Sequence, residues 1–105
     1  MDQWPVLNVM LTNTSEQPLI PAPPVTHQIK VHGMYGSNGG ASLSKVVFKD
    51  GATKKFGWNA APNGGGFVVE KTRPWTLAPG TPLKIQQTAA VEMEVSAQYE
   101  LGIVG

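Results

Sequence analysis

The chain has 105 residues, of which 41% are hydrophobic and only 14% charged, with a net charge of +1 and no cysteine. This length supports one domain with one modest core. The composition excludes disulfides, zinc–thiolate centres and thiol catalysis, and the near-zero charge argues against a nucleic-acid or membrane-surface ligand. So few charges leave a largely neutral surface of Ser, Thr, Asn, Gln, Gly and Pro, which fits a protein that hides surface against a partner. No run approaches the ~18 apolar residues of a membrane span. Met1-Asp2-Gln3-Trp4 lacks the basic start and apolar stretch of a secretory signal, so an intracellular product is expected.

In chain order, Met1–Pro24 reads as an extended proline-rich arm and Val25–Gly105 as a β module. Trp4–Thr12 has strand character, with Pro5 confining it to a strand start or an edge. Asn13-Thr14-Ser15 is a turn. Pro18, Pro21, Pro23 and Pro24 remove backbone donors and fix φ, so this stretch is extended and stiff rather than helix or central strand. Leu19 and Ile20 sit between the prolines as apolar anchors. A stiff segment loses little entropy on binding, so Trp4, Pro18, Leu19, Ile20, Pro21, Pro23 and Pro24 are expected to strap onto a partner.

His27–Tyr35 alternates, placing Ile29, Val31 and Tyr35 on one face and Gln28, Lys30 and His32 on the other. Gly36–Gly40 is a loop. Ser42–Phe56 reads as a hairpin about Lys49-Asp50-Gly51. A three-residue loop with a left-handed, bulged Gly51 keeps Val46, Phe48, Phe56 and Trp58 together on the apolar face. Lys45, Lys49 and Lys55 then lie on the wet face. Asn59–Gly66 is a second loop and Gly66–Lys71 a short strand. Thr72–Pro82 reads as a turn-rich crossing that contains Arg73 and Trp75, and Leu83–Thr88 is another strand. Val91–Leu101 alternates strictly: Val91, Met93, Val95, Ala97, Tyr99 and Leu101 point inward, and Glu92, Glu94 and Glu100 outward. No window has helical periodicity. Six or seven short strands separated by loops imply an all-β chain, an antiparallel β-sandwich with Greek-key or jelly-roll connections.

The chemistry carried by these elements is sparse. His27 and His32 face opposite sides of one strand and do not share a metal. Glu92 and Glu94 lie ~6–7 Å apart along a strand, a separation known for glycosidase carboxylates, but such pairs straddle a cleft. The glycine clusters precede neither Gly-Lys-Ser/Thr nor a helix, so they are hairpin loops and not phosphate cradles. Lys45, Lys49, Lys54 and Lys55 form a basic cluster better suited to an acidic protein surface, or to Glu92, Glu94 and Glu100 of a neighbouring copy, than to nucleic acid. No catalytic, metal or cofactor residue is assigned. Candidate partner contacts on the module are Lys45, Lys49, Lys55, Arg73, Trp75, Glu92 and Glu94. A sugar site would need Trp58 or Trp75 accessible at a concave surface.

The run of turns and alternation carries a resemblance. An alternating strand precedes Ser37-Asn38-Gly39-Gly40, followed by Val46-Val47-Phe48-Lys49-Asp50-Gly51 and Asn63-Gly64-Gly65-Gly66-Phe67-Val68-Val69. Pro79-Gly80-Thr81-Pro82-Leu83-Lys84-Ile85 comes next, and the pattern closes with Ala89–Tyr99. From Ile29 to Leu101 the chain resembles the small β-sandwich capsid decoration, or cement, proteins of tailed bacteriophages. The resemblance implies a jelly-roll-like module, often trimeric, seated on the outside of an assembled shell of major capsid protein. It implies a virion location, assembly in the host cytoplasm and no enzymatic activity. Similar modules occur in phage tail and fibre proteins, where the role is carbohydrate or receptor binding.

Overall fold

The computed structural model describes residues 4–104. Met1–Gln3, at the start of the expected arm, and Gly105 lie outside the described residues. Eight strands follow one another: β1 Val6–Leu11, β2 Gln17–Ile20, β3 His27–Asn38, β4 Ser44–Asp50, β5 Thr53–Ala60, β6 Gly66–Thr76, β7 Leu83–Gln87 and β8 Met93–Ile103. They form two four-stranded sheets ordered β1-β8-β3-β6 and β2-β7-β4-β5. All neighbouring strands are antiparallel. This crossing between sheets is the jelly-roll form of the β-sandwich.

The core lies between the sheets and follows the alternation of each strand. On β8, Met93, Val95 and Ala97 are fully buried while Glu94 is exposed; on β4, Val46 and Phe48 are buried. Leu83 and Ile85 of β7 complete the facing layer. Burying one such side chain contributes about 1.5–3 kcal/mol, so the inward rows carry most of the stability. Leu101 keeps the inward parity but is 49% exposed; the β1 ladder on β8 begins only at Val6↔Gln98, so no strand flanks it on that side.

Residues 4–24 are not a detached strap. β1 pairs with β8 over its whole length, from Val6↔Gln98 to Leu11↔Met93. β2 pairs with β7 through Gln17↔Ile85, Pro18↔Lys84 and Ile20↔Leu83. Leu11, Leu19 and Ile20 are buried in the core, so Leu19 and Ile20 do not serve as partner anchors. The prolines do enforce an extended backbone, and Pro18 is tolerated because β2 is an edge strand. What the stretch packs against is its own sandwich. Pro21, Pro23 and Pro24 form the β2–β3 connection, closed by the His27 N–H donating to the Pro24 carbonyl at 2.9 Å. Trp4 stays on its own module, stacked face to face on His32 with 4.3 Å between ring centroids.

Four strands depart from simple alternation through a shift in register. On β2 it falls between Pro18 and Ile20, so the consecutive Leu19 and Ile20 are both buried. On β3 the pairing steps from Val31↔Tyr99 to Gly33↔Gln98, leaving His32 as the extra residue. The step inverts the parity that follows, so Met34 is buried and Tyr35 points outward instead of sharing a face with Val31. Tyr35 lies across Gly33, where a Cβ would run into the phenol ring. On β5, Phe48↔Phe56 gives way to Lys49↔Lys54, so Lys55 bulges and the turn itself is the two residues Gly51 and Ala52. Gly51 is left-handed, at φ 61°, as expected, but the turn has two residues instead of three and the bulge falls at Lys55 and not at Gly51; Val46, Phe48, Phe56 and Trp58 share the apolar face as read, with Val46 opposite Trp58. On β6, the expected crossing at Thr72–Thr76 is strand continued past an interruption. Gly33↔Glu70 is followed by Val31↔Trp75, and Lys71–Pro74 loop out opposite His32.

Three buried polar side chains hold one end of the sandwich. Asn38 donates to the carbonyls of Ser42 (2.8 Å) and Ala60 (3.0 Å) and accepts from the Gly40 N–H at 2.8 Å. Gln87 donates to the carbonyls of Asn13 (3.1 Å) and Val91 (2.8 Å) and accepts from the Ser44 hydroxyl at 3.1 Å. Two outcomes follow for urea unfolding of the free protein. Ile20→Ala lowers stability by about 2–5 kcal/mol, where a solvent-side strap residue would leave it unchanged. Asn38→Ala lowers it by about 1–3 kcal/mol or more, since it strands backbone groups that the amide satisfies.

Candidate interaction surfaces

Among the described residues, no three of His, Asp and Glu come together in a way that could hold a metal ion. Thr26 Oγ1 lies 2.9 Å from His27 Nδ1, but the two are sequence neighbours at an exposed position. Among the described residues no carboxylate is bonded to the ring to orient it as in a catalytic triad. His32 Nε2 lies 2.9 Å from Glu100 Oε1 beneath Trp4, which places the two histidines in separate environments. Glu92 precedes β8 in the loop that binds the Gly39 N–H, whereas Glu94 stands on the open face of β8. Both are exposed, and no cleft separates them.

The outer face of the β2-β7-β4-β5 sheet is basic. Lys45 lies across Gly57 of the neighbouring strand, where a Cβ would meet its stem at 2.5 Å. Lys49 Nζ donates to Glu16 Oε2 at 2.7 Å and to Gln86 Oε1 at 2.8 Å. Lys84 Nζ reaches Glu16 Oε1 at 3.3 Å. Lys54 and Lys55 are exposed at the edge. An open hollow of ≈400 Å³ on this side is lined by Thr14, Val47, Gln86, Gln87 and Thr88. Its uncharged lining and openness give it little to grip a small ligand with.

The outer face of the β1-β8-β3-β6 sheet is acidic and partly apolar. Glu70 and Glu94 are exposed there, and Glu100 is held by His32. Lys30 lies flat across Gly102. Val6, Met10 and Val68 are 54%, 49% and 72% exposed on the same face. Asn8 donates to the Ser96 hydroxyl at 2.8 Å. The sequence-derived lysine and glutamate sets thus sit on opposite sides of the slab, because β4 and β8 belong to different sheets.

Where edge strands β5 and β6 approach, an aromatic group closes the sandwich. Phe56 meets Trp75 edge to face at 5.0 Å and lies parallel to Trp58 at 6.2 Å. Lys71 Nζ stands 4.9 Å over the Phe56 ring. Trp58 Nε1 is buried without a hydrogen-bond partner among the described residues. Both indoles are half-buried, and neither offers the open platform a sugar site requires. Arg73 is exposed in the β6 bulge beside them. The Phe56–Trp75 contact was invisible in the sequence, since it joins the edges of two sheets.

No protein-family model matches the chain, and no curated protein matches it. Several solved structures share its outline. The insecticidal delta-endotoxin Cry8Ea1 from Bacillus thuringiensis is 16% identical with a TM-score of 0.45; the match covers 93% of this chain and 20% of the endotoxin chain. The virus-like particle of the extra small virus of the prawn Macrobrachium rosenbergii is 13% identical with a TM-score of 0.44, over 92% of this chain and 77% of that one. PirA is 13% identical with a TM-score of 0.45, over 90% and 93%. Likeness at this level assigns no function.

The Glu16 carboxylate sits between the ammonium groups of Lys49 and Lys84. The Lys49 hydrogen bond, the largest cause, holds its pKa below the ordinary value of 4.5; partial desolvation opposes this, and Lys84 adds to the lowering. A depressed carboxylate contributes stability that is present above the unfolded-state value and lost as pH falls through the folded one. Glu16→Gln therefore lowers the urea midpoint at neutral pH, and the difference from the parent protein disappears on acidification below about pH 4.

Proposed function

We propose that this chain is a structural virion protein that binds the outer surface of an assembled phage capsid and stabilises it, as decoration or cement proteins do. The partner is the major capsid protein, the location is the capsid surface, and the reading assigns no catalysis. The observation that carries it is the pairing of oppositely charged outer faces on one thin jelly roll, a slab suited to lie between protein surfaces. The resemblance over Ile29–Leu101 supports it, as does the low overall charge. With residues 4–24 built into the sandwich, contact passes through faces and edges: Lys45 and Lys55 toward an acidic shell surface, and Glu92 and Glu94 on the other side toward neighbouring copies. Binding to the assembled shell and not to free capsid subunits stabilises the shell by mass action.

The test is co-sedimentation with expanded, undecorated capsids. Saturable binding is expected to shells, and none to unassembled subunits. The double substitution Lys45→Glu and Lys55→Glu should weaken it at least several-fold, with folding unchanged. Absence of binding by the intact chain overturns the reading. Glycan binding that is lost in Trp75→Ala, without capsid binding, would favour the alternative, a carbohydrate- or receptor-binding module of a phage tail or fibre.

A further inference from the structure

A two-sheet sandwich leaves four edge strands, here β1, β6, β2 and β5. An unprotected edge is a template for another strand, and soluble proteins block it with prolines, charges, bulges or short strands. Three of these edges carry such devices. β2 is four residues long, contains Pro18 and has an irregular register. β5 has the Lys55 bulge beside Lys54. β6 is interrupted by Lys71–Pro74, with two cations and a proline.

β1 has none of them. Val6-Leu7-Asn8-Val9-Met10-Leu11 contains no charge and no proline, and its register on β8 has no shift. The Tyr99 N–H donates to the Pro5 carbonyl at 3.0 Å, so Pro5 faces β8. By alternation Leu7, Val9 and Leu11 also face β8, and Val6, Asn8 and Met10 turn their N–H and C=O groups to the open side. No hydrogen bond is made by those groups among the described residues. The Val6 and Met10 side chains beside them are 54% and 49% exposed.

We propose that β1 is the self-association edge of this protein, pairing antiparallel with β1 of a second copy about a two-fold axis at Asn8. The edge is complementary to itself. Asn8 faces the partner's Asn8, and Val6 faces the partner's Met10, so amide meets amide and apolar meets apolar with no like charges opposed. Each facing pair exchanges two backbone hydrogen bonds. The two β1-β8-β3-β6 sheets become one eight-stranded sheet, a size that antiparallel sheets reach. This pairing is isologous, and so differs from the trimer that the cement resemblance implies. It does not rest on the capsid reading and is tested without capsids.

The chain contains no cysteine, so single cysteines report contacts cleanly. In a hydrogen-bonded antiparallel pair the facing Cα atoms are about 5.5 Å apart, within disulfide reach. Under mild oxidation, Asn8→Cys should form a disulfide-linked dimer in high yield. Val6→Cys and Met10→Cys should each remain uncrosslinked alone and crosslink when mixed. Leu43→Cys, on an exposed loop, sets the background from random collision. The parent protein should sediment at twice the monomer mass at millimolar concentration. Met10→Lys should weaken the dimer at least tenfold with an unchanged urea midpoint for the monomer. A monomer mass at that concentration overturns the proposal. So does an oligomer in which Asn8→Cys crosslinks no more than Leu43→Cys, which would place association on another surface or in another symmetry.

Discussion

The order of this sandwich depends on a small polar network set into an otherwise apolar interior. Asn38, Ser44 and Gln87 are almost wholly buried, and their hydrogen bonds run mainly to backbone groups of connecting segments. Hydrophobic burial is non-directional, so it brings two sheets together without selecting one arrangement of the loops between them. The amides supply that selection. Asn38 joins the β3–β4 loop to the end of β5, and Gln87 joins the β1–β2 and β7–β8 connections. Ser44 closes the set from β4, with its hydroxyl on Gln87 and the Ala89 N–H donating to it at 3.2 Å. A fully satisfied network of this kind holds loops in one geometry.

The opposite charges of the two outer faces follow from topology. β4 carries its lysines and β8 its glutamates on the side away from the core. The jelly roll places these strands in different sheets, so the charges emerge on opposite sides. Glu16 tempers the basic side, drawing Lys49 and Lys84 together and leaving Lys45, Lys54 and Lys55 for other contacts. The edges divide in the same way. Proline, bulges and charge protect three of them, while the regular neutral β1 remains open, so the surface offers two charged faces and one backbone edge.

Much of the fold was legible in residue patterns, because alternation is a local property. The inner rows of β4 and β8 follow from period two alone, whereas the facing of Val46 with Trp58 also needs the Lys55 bulge. The bulges were not legible. One extra residue at His32 turns Tyr35 outward, and nothing in His32 itself announces it; the cause is the mismatch between β3 and two neighbours paired far away in sequence. The aromatic closure of Phe56, Trp58 and Trp75 was half visible. Parity placed Trp58 toward the core, but the contact with Trp75 needs two sheet edges to meet.

The proline-rich beginning shows the division most clearly. By itself the sequence determined that Pro18–Pro24 is extended, that Leu19 and Ile20 are the apolar groups seeking cover, and that Pro5 limits its strand to a start or an edge. All three properties hold in the folded chain. Only the tertiary structure decided that the cover comes from the same molecule, with β1 laid on β8 and β2 on β7. Local sterics set the shape of a segment, but its partner is chosen by non-local burial. An extended apolar stretch that fits a vacant sheet edge looks the same in sequence whether that edge is its own or another protein's.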